Sequence, residues 1–337
     1  MGVMRLLFQI SVFLVAALLL TGCNQKQARL DEADRLLRTA GMRYDEGRYE
    51  DAVGYANKAF DEFFKLLGSD AKETIYCRGE LSAFLQAAGQ VKDAIAVSRT
   101  QVAICVRVYG ERHEESQMAR LRLANCLRGI EAFEEAEQLC RKAMEECDID
   151  FGADGTVGLS ARKALVVVLS GMRKYDEAIK QGVNLLEIQR RKFGEEADDV
   201  LTTRSNLASA YLYQGYLEAA EKEFQVVFNI QKKRNGPDHP ETLHAESWLG
   251  TCFKEQKRFS EALPILRSVW ERRDKVLGPG HPRSLNSGFD LATAEIQSGN
   301  KVEAKRIITL ILERANQHLG PEHPTTKTFQ QASSLVK

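Results

Sequence analysis

The sequence lacks a net charge. Its 337 residues include 47 Lys and Arg against 47 Asp and Glu, so the formal charge at pH 7 is zero. A surface for nucleic acid or anionic lipid, or a disordered tail driven by charge repulsion, needs an excess of one sign. We therefore expect no nucleic-acid partner. The length alone suggests two globular domains, unless internal repeats replace compact cores.

Catalytic and metal-binding signatures are also missing. The sequence has no H-E-x-x-H, G-x-S-x-G, P-loop or EF-hand spacing. We expect no enzyme, metal or cofactor; only a site assembled from different repeats leaves catalysis open. The glycine-rich segment Gly152–Gly158 follows no strand, which predicts a flexible loop. Four histidines each stand three residues after a recurring glycine, which indicates a structural role in loops: His113, His239, His281 and His323.

No CxxC motif is present either. Cys105 and Cys147 are 42 residues apart, as repeated positions are, and equivalent residues of stacked repeats lie too far apart for a disulfide. Small buried core residues are the favoured interpretation, and pairing stays open. The six cysteines concerned are Cys77, Cys105, Cys126, Cys140, Cys147 and Cys252.

The N-terminus carries a targeting signal. Arg5 precedes the 15-residue apolar run Leu6–Leu20, which is short for a membrane span, and Thr21-Gly22-Cys23 follows at once. This arrangement resembles the lipobox of bacterial lipoproteins, which implies a signal peptide over 1–22, lipidation of Cys23 and a tether over 23–26. A plain signal peptide and an uncleaved anchor are the alternatives.

The resemblance also implies a location outside the cytoplasm. Several acyl chains on Cys23 hold a protein firmly to a membrane. Asn24 follows the lipidated cysteine, and by resemblance to enterobacterial sorting this points to the outer membrane, facing the periplasm, in a Gram-negative cell.

A 42-residue period fills the rest of the chain. One alanine ends a [YF]-x-[ED]-A-like run in every period, a glycine ends each period, and in six periods a leucine stands 13 residues before the alanine. The alanines are Ala52, Ala94, Ala136, Ala178, Ala220, Ala262 and Ala304, and the glycines are Gly68, Gly110, Gly152, Gly194, Gly236, Gly278 and Gly320.

Each period predicts two amphipathic helices joined by a short polar turn. The period-ending glycine is expected in the left-handed αL conformation that closes a helix. The last three loops share the pattern Gly-Pro-x-His-Pro, in which the second proline fits the first turn of the next helix.

These patterns resemble the tetratricopeptide repeat, specifically its 42-residue kinesin-light-chain-like form. The resemblance covers 27–320 and implies an all-α, right-handed α-solenoid of seven helical hairpins whose first helices line a concave face. Ser82, Val166 and Glu295 depart from the pattern. The 17 residues of 321–337 have room for one C-terminal capping helix from about Thr325, with Phe329 covering the last repeat.

By the same resemblance, certain first-helix positions face a peptide-binding groove. Amides can bond a peptide backbone, cations suit carboxylates, and Tyr or Trp gives rigid apolar contact. The predicted groove residues are Arg122, Asn125, Arg128, Lys163, Ser205, Asn206, Tyr213, Trp248 and Lys254.

Two functions follow from this sequence. The first is a lipid-anchored scaffold at the bacterial cell envelope that holds a protein or peptide partner in the groove. The alternative is a structural component of an envelope complex that self-associates or docks by its outer faces, without a specific groove.

Overall fold

The computed structural model describes residues 2–152 and 154–335, with side chains described for 24–150, 152 and 154–334. The described residues form fifteen helices and no strand. The helices are α1 (Gly2–Asp45), α2 (Tyr49–Leu67), α3 (Lys72–Ala87), α4 (Val91–Tyr109), α5 (Glu114–Arg128), α6 (Phe133–Phe151), α7 (Thr156–Gly171), α8 (Tyr175–Phe193), α9 (Asp198–Gln214), α10 (Leu217–Asn235), α11 (Pro240–Glu255), α12 (Phe259–Leu277), α13 (Pro282–Gln297), α14 (Lys301–His318) and α15 (Pro324–Leu335).

The chain forms two compact units, Met1–Tyr109 and Gly110–Lys337. Within each unit, every helix packs against the next along the chain. In the second unit, first helices of successive hairpins also touch, as α5 touches α7 and α11 touches α13. Consecutive helical hairpins confirm the predicted all-α repeat fold, including the capping helix α15, whose Phe329 is fully buried.

The predicted lipidation site lies outside the described side chains. Helix α1 begins at Gly2 and continues to Asp45, so the proposed cleavage point before Cys23 stands within one helix. Across the residues whose side chains are described, no helix is both long and apolar enough to cross a membrane.

The recurring histidines start helices. Each accepts a hydrogen bond at Nδ1 from the backbone N–H two residues later, which satisfies one of the free donors of a helix N-terminus. Proline follows directly at Pro240, Pro282 and Pro324, where a helix needs no N–H. The structural role predicted for these loops is confirmed.

The period-ending glycines differ from the prediction. Gly236 has φ 84° and ψ 171°, and Gly68 has φ 86° and ψ 176°, so these residues are extended with positive φ and are not in αL. That region is essentially restricted to glycine. The αL residue lies instead in the turn inside the hairpin, at Gly215 with φ 91° and ψ 8°. The prediction failed because one glycine signal fits both conformations.

Two of the departures from the repeat pattern are compensated inside the hairpin. In the usual pattern one position of the first helix holds a small residue, and it faces the residue 16 positions later on the second helix. In no hairpin are both of these residues large. Val166 faces Gly182, whereas the Gly250 Cα approaches Leu266 so closely that an added Cβ lies 2.9 Å from Leu266 Cδ2. Ser82 and Ser98 share a 2.6 Å hydrogen bond. The remaining pairs are Ala40 with Ala56, Ala124 with Cys140, Ala208 with Phe224 and Ala292 with Ile308, all buried.

Glu295, the third departure, is a buried ion-pair partner. Its carboxylate accepts hydrogen bonds from Arg267 Nη2 at 2.7 Å and from Asn300 Nδ2 at 3.0 Å. A buried carboxylate needs such partners because it has lost its hydration. The aromatic side chain of the usual pattern is therefore replaced by a satisfied charge.

A buried arginine recurs at one position of the first helix, at Arg78, Arg120, Arg162 and Arg204. Arg120 binds Glu146 of the second helix at 2.8 Å, and the Glu111 carboxylate of the preceding loop at 2.7 Å. The sixth repeat reverses these charges: the equivalent first-helix residue is Glu246, and Arg272 of the second helix binds it at 2.7 Å. Arg272 also binds Asp238 in the preceding loop at 2.8 Å. In both repeats one guanidinium ties both helices to the loop before them.

The six cysteines after Cys23 are buried, as core residues are, and form no disulfide with one another. Burial raises the pKa of the Cys77, Cys140 and Cys252 thiols to about 12 and that of Cys147 to about 11. Only a thiolate is a good nucleophile, so these residues combine poor access with a low thiolate fraction.

We expect the native protein to resist thiol reagents. At pH 8, a disulfide reagent such as dithionitrobenzoate should leave six cysteines unmodified for hours, because all of them are buried: Cys77, Cys105, Cys126, Cys140, Cys147 and Cys252. The same protein in concentrated urea provides the control, and all six should react there within minutes. Rapid labelling of any of these six cysteines in the native chain would contradict this burial.

Candidate functional site

Two cavities open along the first helices of the second unit. The larger, the Trp248 cavity, has a volume of about 580 Å³ and is lined by α9, α11 and α13, with one residue from α12. The smaller, the Asn206 cavity, has a volume of about 410 Å³ and lies among α9, α10 and α11. His244 lines both cavities, so they adjoin each other.

Five of the predicted groove residues line these cavities. Tyr213, Trp248 and Lys254 line the Trp248 cavity, and Ser205 and Asn206 line the second one. The register inferred from the repeat therefore brings side chains of two repeats to one cavity. Their part in binding stays a prediction.

Four predicted residues line neither cavity. Lys163 forms an ion pair with Asp199 at 2.8 Å, and Arg128 donates to Asn125 Oδ1 at 3.0 Å. Arg122, in the same repeat as Arg128, is half-buried on α5. These residues lie on the first helices α5 and α7, and none of them lines the Trp248 or the Asn206 cavity.

The Trp248 cavity has a rigid aromatic wall. The Trp248 ring stacks on Phe224 with centroids 5.4 Å apart and planes 4° apart. Its Nε1 donates a 3.3 Å hydrogen bond to His244 Nε2, which fixes the ring in its plane. Tyr213 stacks on Tyr175 at 6.0 Å and leaves 59% of its surface exposed. Immobilised aromatic surfaces bind ligands with little further loss of side-chain entropy.

Arg273 of α12 is the buried cation of this cavity, and only 5% of it is exposed. Its Nη1 donates to Ser287 Oγ at 2.5 Å and to the Arg283 carbonyl oxygen at 3.5 Å. Nε and Nη2 have no hydrogen-bond partner among the described residues. Burial lowers the pKa of Arg273 to about 10, so the guanidinium stays charged at neutral pH.

The other charged residues of this cavity nearly balance. Lys254 pairs with Glu255 at 3.1 Å, and Arg283 with Glu241 at 3.7 Å. Burial raises the pKa of Asp290 to about 6, against the opposing effect of Lys254 and Arg273. The groove walls desolvate His244 and, with the charge of Arg273, lower its pKa to about 4. At neutral pH the imidazole is therefore neutral and Asp290 is largely ionised.

We expect Asp290→Asn to stabilise the protein in a pH-dependent way. Because the folded-state pKa of Asp290 is raised, the folded state takes up its proton first as pH falls, and ionisation costs stability as pH rises to about 6. The gain in unfolding free energy should grow between pH 4 and 6.5 and level off above that, at roughly 3 kcal/mol. Urea unfolding of both proteins measures the difference, from which the His244 titration cancels. A gain that does not vary with pH would contradict the raised pKa.

Sequence reasoning missed Arg273 because it considered first helices only. One signal was present: at 42-residue spacing its position is otherwise uncharged, with Phe63, Cys105, Cys147, Gln189, Gln231 and Ala315. Asp290 was also missed, although it occupies the seventh-repeat equivalent of Trp248, Asn206 and Arg122. Extending the groove register by one repeat would have included it.

The sequence matches family models of the tetratricopeptide repeat over residues 159–233 and 249–283. No curated protein matches it significantly. Among solved structures, a putative kinesin light chain with nearly identical TPR-like repeats from Podosopora anserina is similar, with 21% identity and TM-score 0.52, covering 61% of this chain and 97% of that one.

Two further structures are similar. BtubC (BKLC) from P. vanneervenii has 16% identity and TM-score 0.55, covering 68% of this chain and 92% of that one. A Rap protein complexed with competence and sporulation factor has 12% identity and TM-score 0.54, covering 93% of this chain and 97% of that one. At such identities the likeness concerns the fold. Residues 159–233 and 249–283 are thus tetratricopeptide repeats, in a chain that folds like kinesin-light-chain-type repeat proteins.

Proposed function

We propose that this protein is a scaffold that holds a segment of a protein partner in the Trp248 cavity. Tetratricopeptide repeats are a non-catalytic scaffold typical of protein–protein interactions. The observation that carries the proposal is the cavity itself, in which fixed aromatic faces stand beside a buried arginine. Trp, Tyr and Arg in such pockets supply most of the binding energy of protein interfaces.

One of the structurally similar proteins supports this use of the fold. In the Rap structure, a helical protein of similar architecture is complexed with a factor. In the present chain, the Asn206 cavity adjoins the Trp248 cavity, and Asn206 lines it beside Ser205. Asparagine offers a backbone both a donor and an acceptor, so the two cavities suit an extended segment.

We further propose that the scaffold is tethered to the cell envelope by lipid on Cys23. The support is the short apolar run that ends at Leu20-Thr21-Gly22-Cys23. Intact mass of the membrane-extracted protein tests the anchor: a chain that begins at Cys23 and carries acyl mass is expected. A chain that begins at Met1 without added mass would refute it, and the groove proposal would be unaffected.

A photocrosslinking amino acid at Tyr213 tests the groove in the native host. Tyr213 lines the cavity, whereas Tyr216, similarly exposed at 52%, does not line it and serves as the matched control. We expect a distinct crosslinked partner from position 213 that is absent from position 216. Equal partners from both positions would contradict the groove, and self-crosslinking from position 216 alone would favour assembly through outer faces.

A further inference from the structure

We propose that the Trp248 cavity binds one carboxylate group of the partner on the free edge of the Arg273 guanidinium. This proposal rests on the peptide-binding function above and names the chemistry that the cavity selects. Arg273 belongs to α12, the second helix of its hairpin, whereas the repeat pattern predicts groove residues on first helices.

The hydrogen bonding of Arg273 shows which edge is free. Ser287 Oγ and the Arg283 carbonyl occupy Nη1, while Nε and Nη2 bond to nothing among the described residues. The N–H groups of Nε and Nη2 point the same way and form the fork that holds both oxygens of a carboxylate. Because Arg273 lines the cavity, a carboxylate that enters it can reach this fork while Nη1 keeps its bonds to Ser287 and to the Arg283 carbonyl.

Leaving the fork unsatisfied is costly for the free protein. A buried N–H without a partner loses its hydration and gains nothing in return, and the penalty is larger for a charged group. Asp290 lines the same cavity, yet it forms no ion pair with Arg273 within 4.0 Å. The carboxylate that the chain itself provides therefore does not fill the fork.

The charge balance of the cavity favours a single negative charge. Lys254 and Arg283 are already paired with Glu255 and Glu241, so Arg273 is the cation of the cavity lining that has no ion-pair partner among the described residues, and His244 is neutral. A carboxylate matches this charge. A phosphoryl group with nearly two negative charges exceeds it and would face Asp290 and Glu255.

The equivalent position in other repeats supplies the test variant. Gln189 and Gln231 occupy it in the two preceding repeats, and both are buried there. Arg273→Gln therefore installs a residue that this fold already accepts, and it removes the fork and its charge. We expect the variant to be at least as stable to urea as the wild type, which shows that it folds.

The experiment measures retention of the detergent-extracted full chain on four immobilised pools of octapeptides. Three pools are N-acetylated and C-amidated, without acidic residues at the random positions, and carry a central Asp, Asn or phosphoserine. The fourth is neutral except for a free C-terminal carboxylate. We expect wild type to prefer the Asp or the C-terminal pool over the Asn pool by about 10-fold, the size of one charge-assisted hydrogen bond. Arg273→Gln should retain less than about 2-fold preference.

Three results would overturn the carboxylate site and leave the peptide groove intact. They are equal retention on the Asp, Asn and C-terminal pools, an unchanged preference in Arg273→Gln, and a preference for phosphoserine over both carboxylate pools. No retention of wild type on any pool overturns the groove and the carboxylate site together. Preference for the Asp or the C-terminal pool supports the site and identifies the source of the carboxylate.

Discussion

Replacing Gly250 with valine is expected to lower the free energy of unfolding by about 3 kcal/mol, because overpacking a well-filled core forces side chains and backbone apart. A Cβ added at position 250 would lie 2.9 Å from Leu266 Cδ2 and 3.0 Å from its Cγ, before the two methyl groups of valine are considered. Leu266→Gly alone should cost about 5 kcal/mol, from the cavity and from glycine within a helix. Together the two substitutions reproduce the pair Val166 and Gly182 of the fourth repeat.

The double variant should therefore lose much less than the sum of the single losses. We expect a favourable coupling of at least about 2 kcal/mol, measured by urea unfolding in a double-mutant cycle. Gly250→Val combined with Ile308→Gly, which makes the equivalent change to glycine in the next hairpin, is the control, and these two effects should add. Additivity of Gly250→Val with Leu266→Gly would show that the paired sizes are coincidental.

The second large effect concerns the buried arginine of the third repeat. Arg120→Glu should destabilise the protein by about 4 kcal/mol, because it brings a third carboxylate to Glu111 and Glu146 and removes the cation between them. Adding Glu146→Arg should recover more than half of the loss, since it recreates the arrangement of Glu246 and Arg272 in the sixth repeat. Chemical unfolding of the single and double variants measures both values.

An exposed ion pair provides the comparison. Arg191 and Glu187 pair on the surface of α8 with 77% and 59% of their side chains exposed, so Arg191→Glu should change stability by no more than about 0.5 kcal/mol. If Arg120→Glu proves as mild as Arg191→Glu, the guanidinium does not hold the helices to their loop. If Glu146→Arg fails to rescue, the charge reversal between repeats is not a functional exchange.

The fold was predictable from sequence because its signals are local and repeat seven times. Pro240 and Pro282 begin helices as their loop pattern indicates, and Phe329 covers the last repeat. The backbone angles at Gly236 and the reason for a small residue at Gly182, which faces Val166, could not be derived in the same way. Both depend on what stands opposite in three dimensions, which a one-dimensional pattern does not specify.

The candidate site was predictable only in part, for a related reason. The first-helix register led to Tyr213, Trp248 and Lys254, which the fold brings to one cavity. Arg273 reaches the same cavity from a second helix, where repeat patterns predict only core residues. Its unsatisfied edge is a property of the packed structure and has no counterpart in the sequence.

The paired sizes inside each hairpin bear on how such a chain can lengthen or shorten. Gly182 lies beside Leu207 of the following hairpin, and that position is leucine in six of the seven repeats, so this neighbour in the next hairpin is nearly constant. The variable residues instead match a partner 16 positions away within their own hairpin. A gene duplication or deletion that moves whole hairpins keeps every pair together, whereas a recombination breakpoint inside a hairpin joins residues whose sizes were never matched.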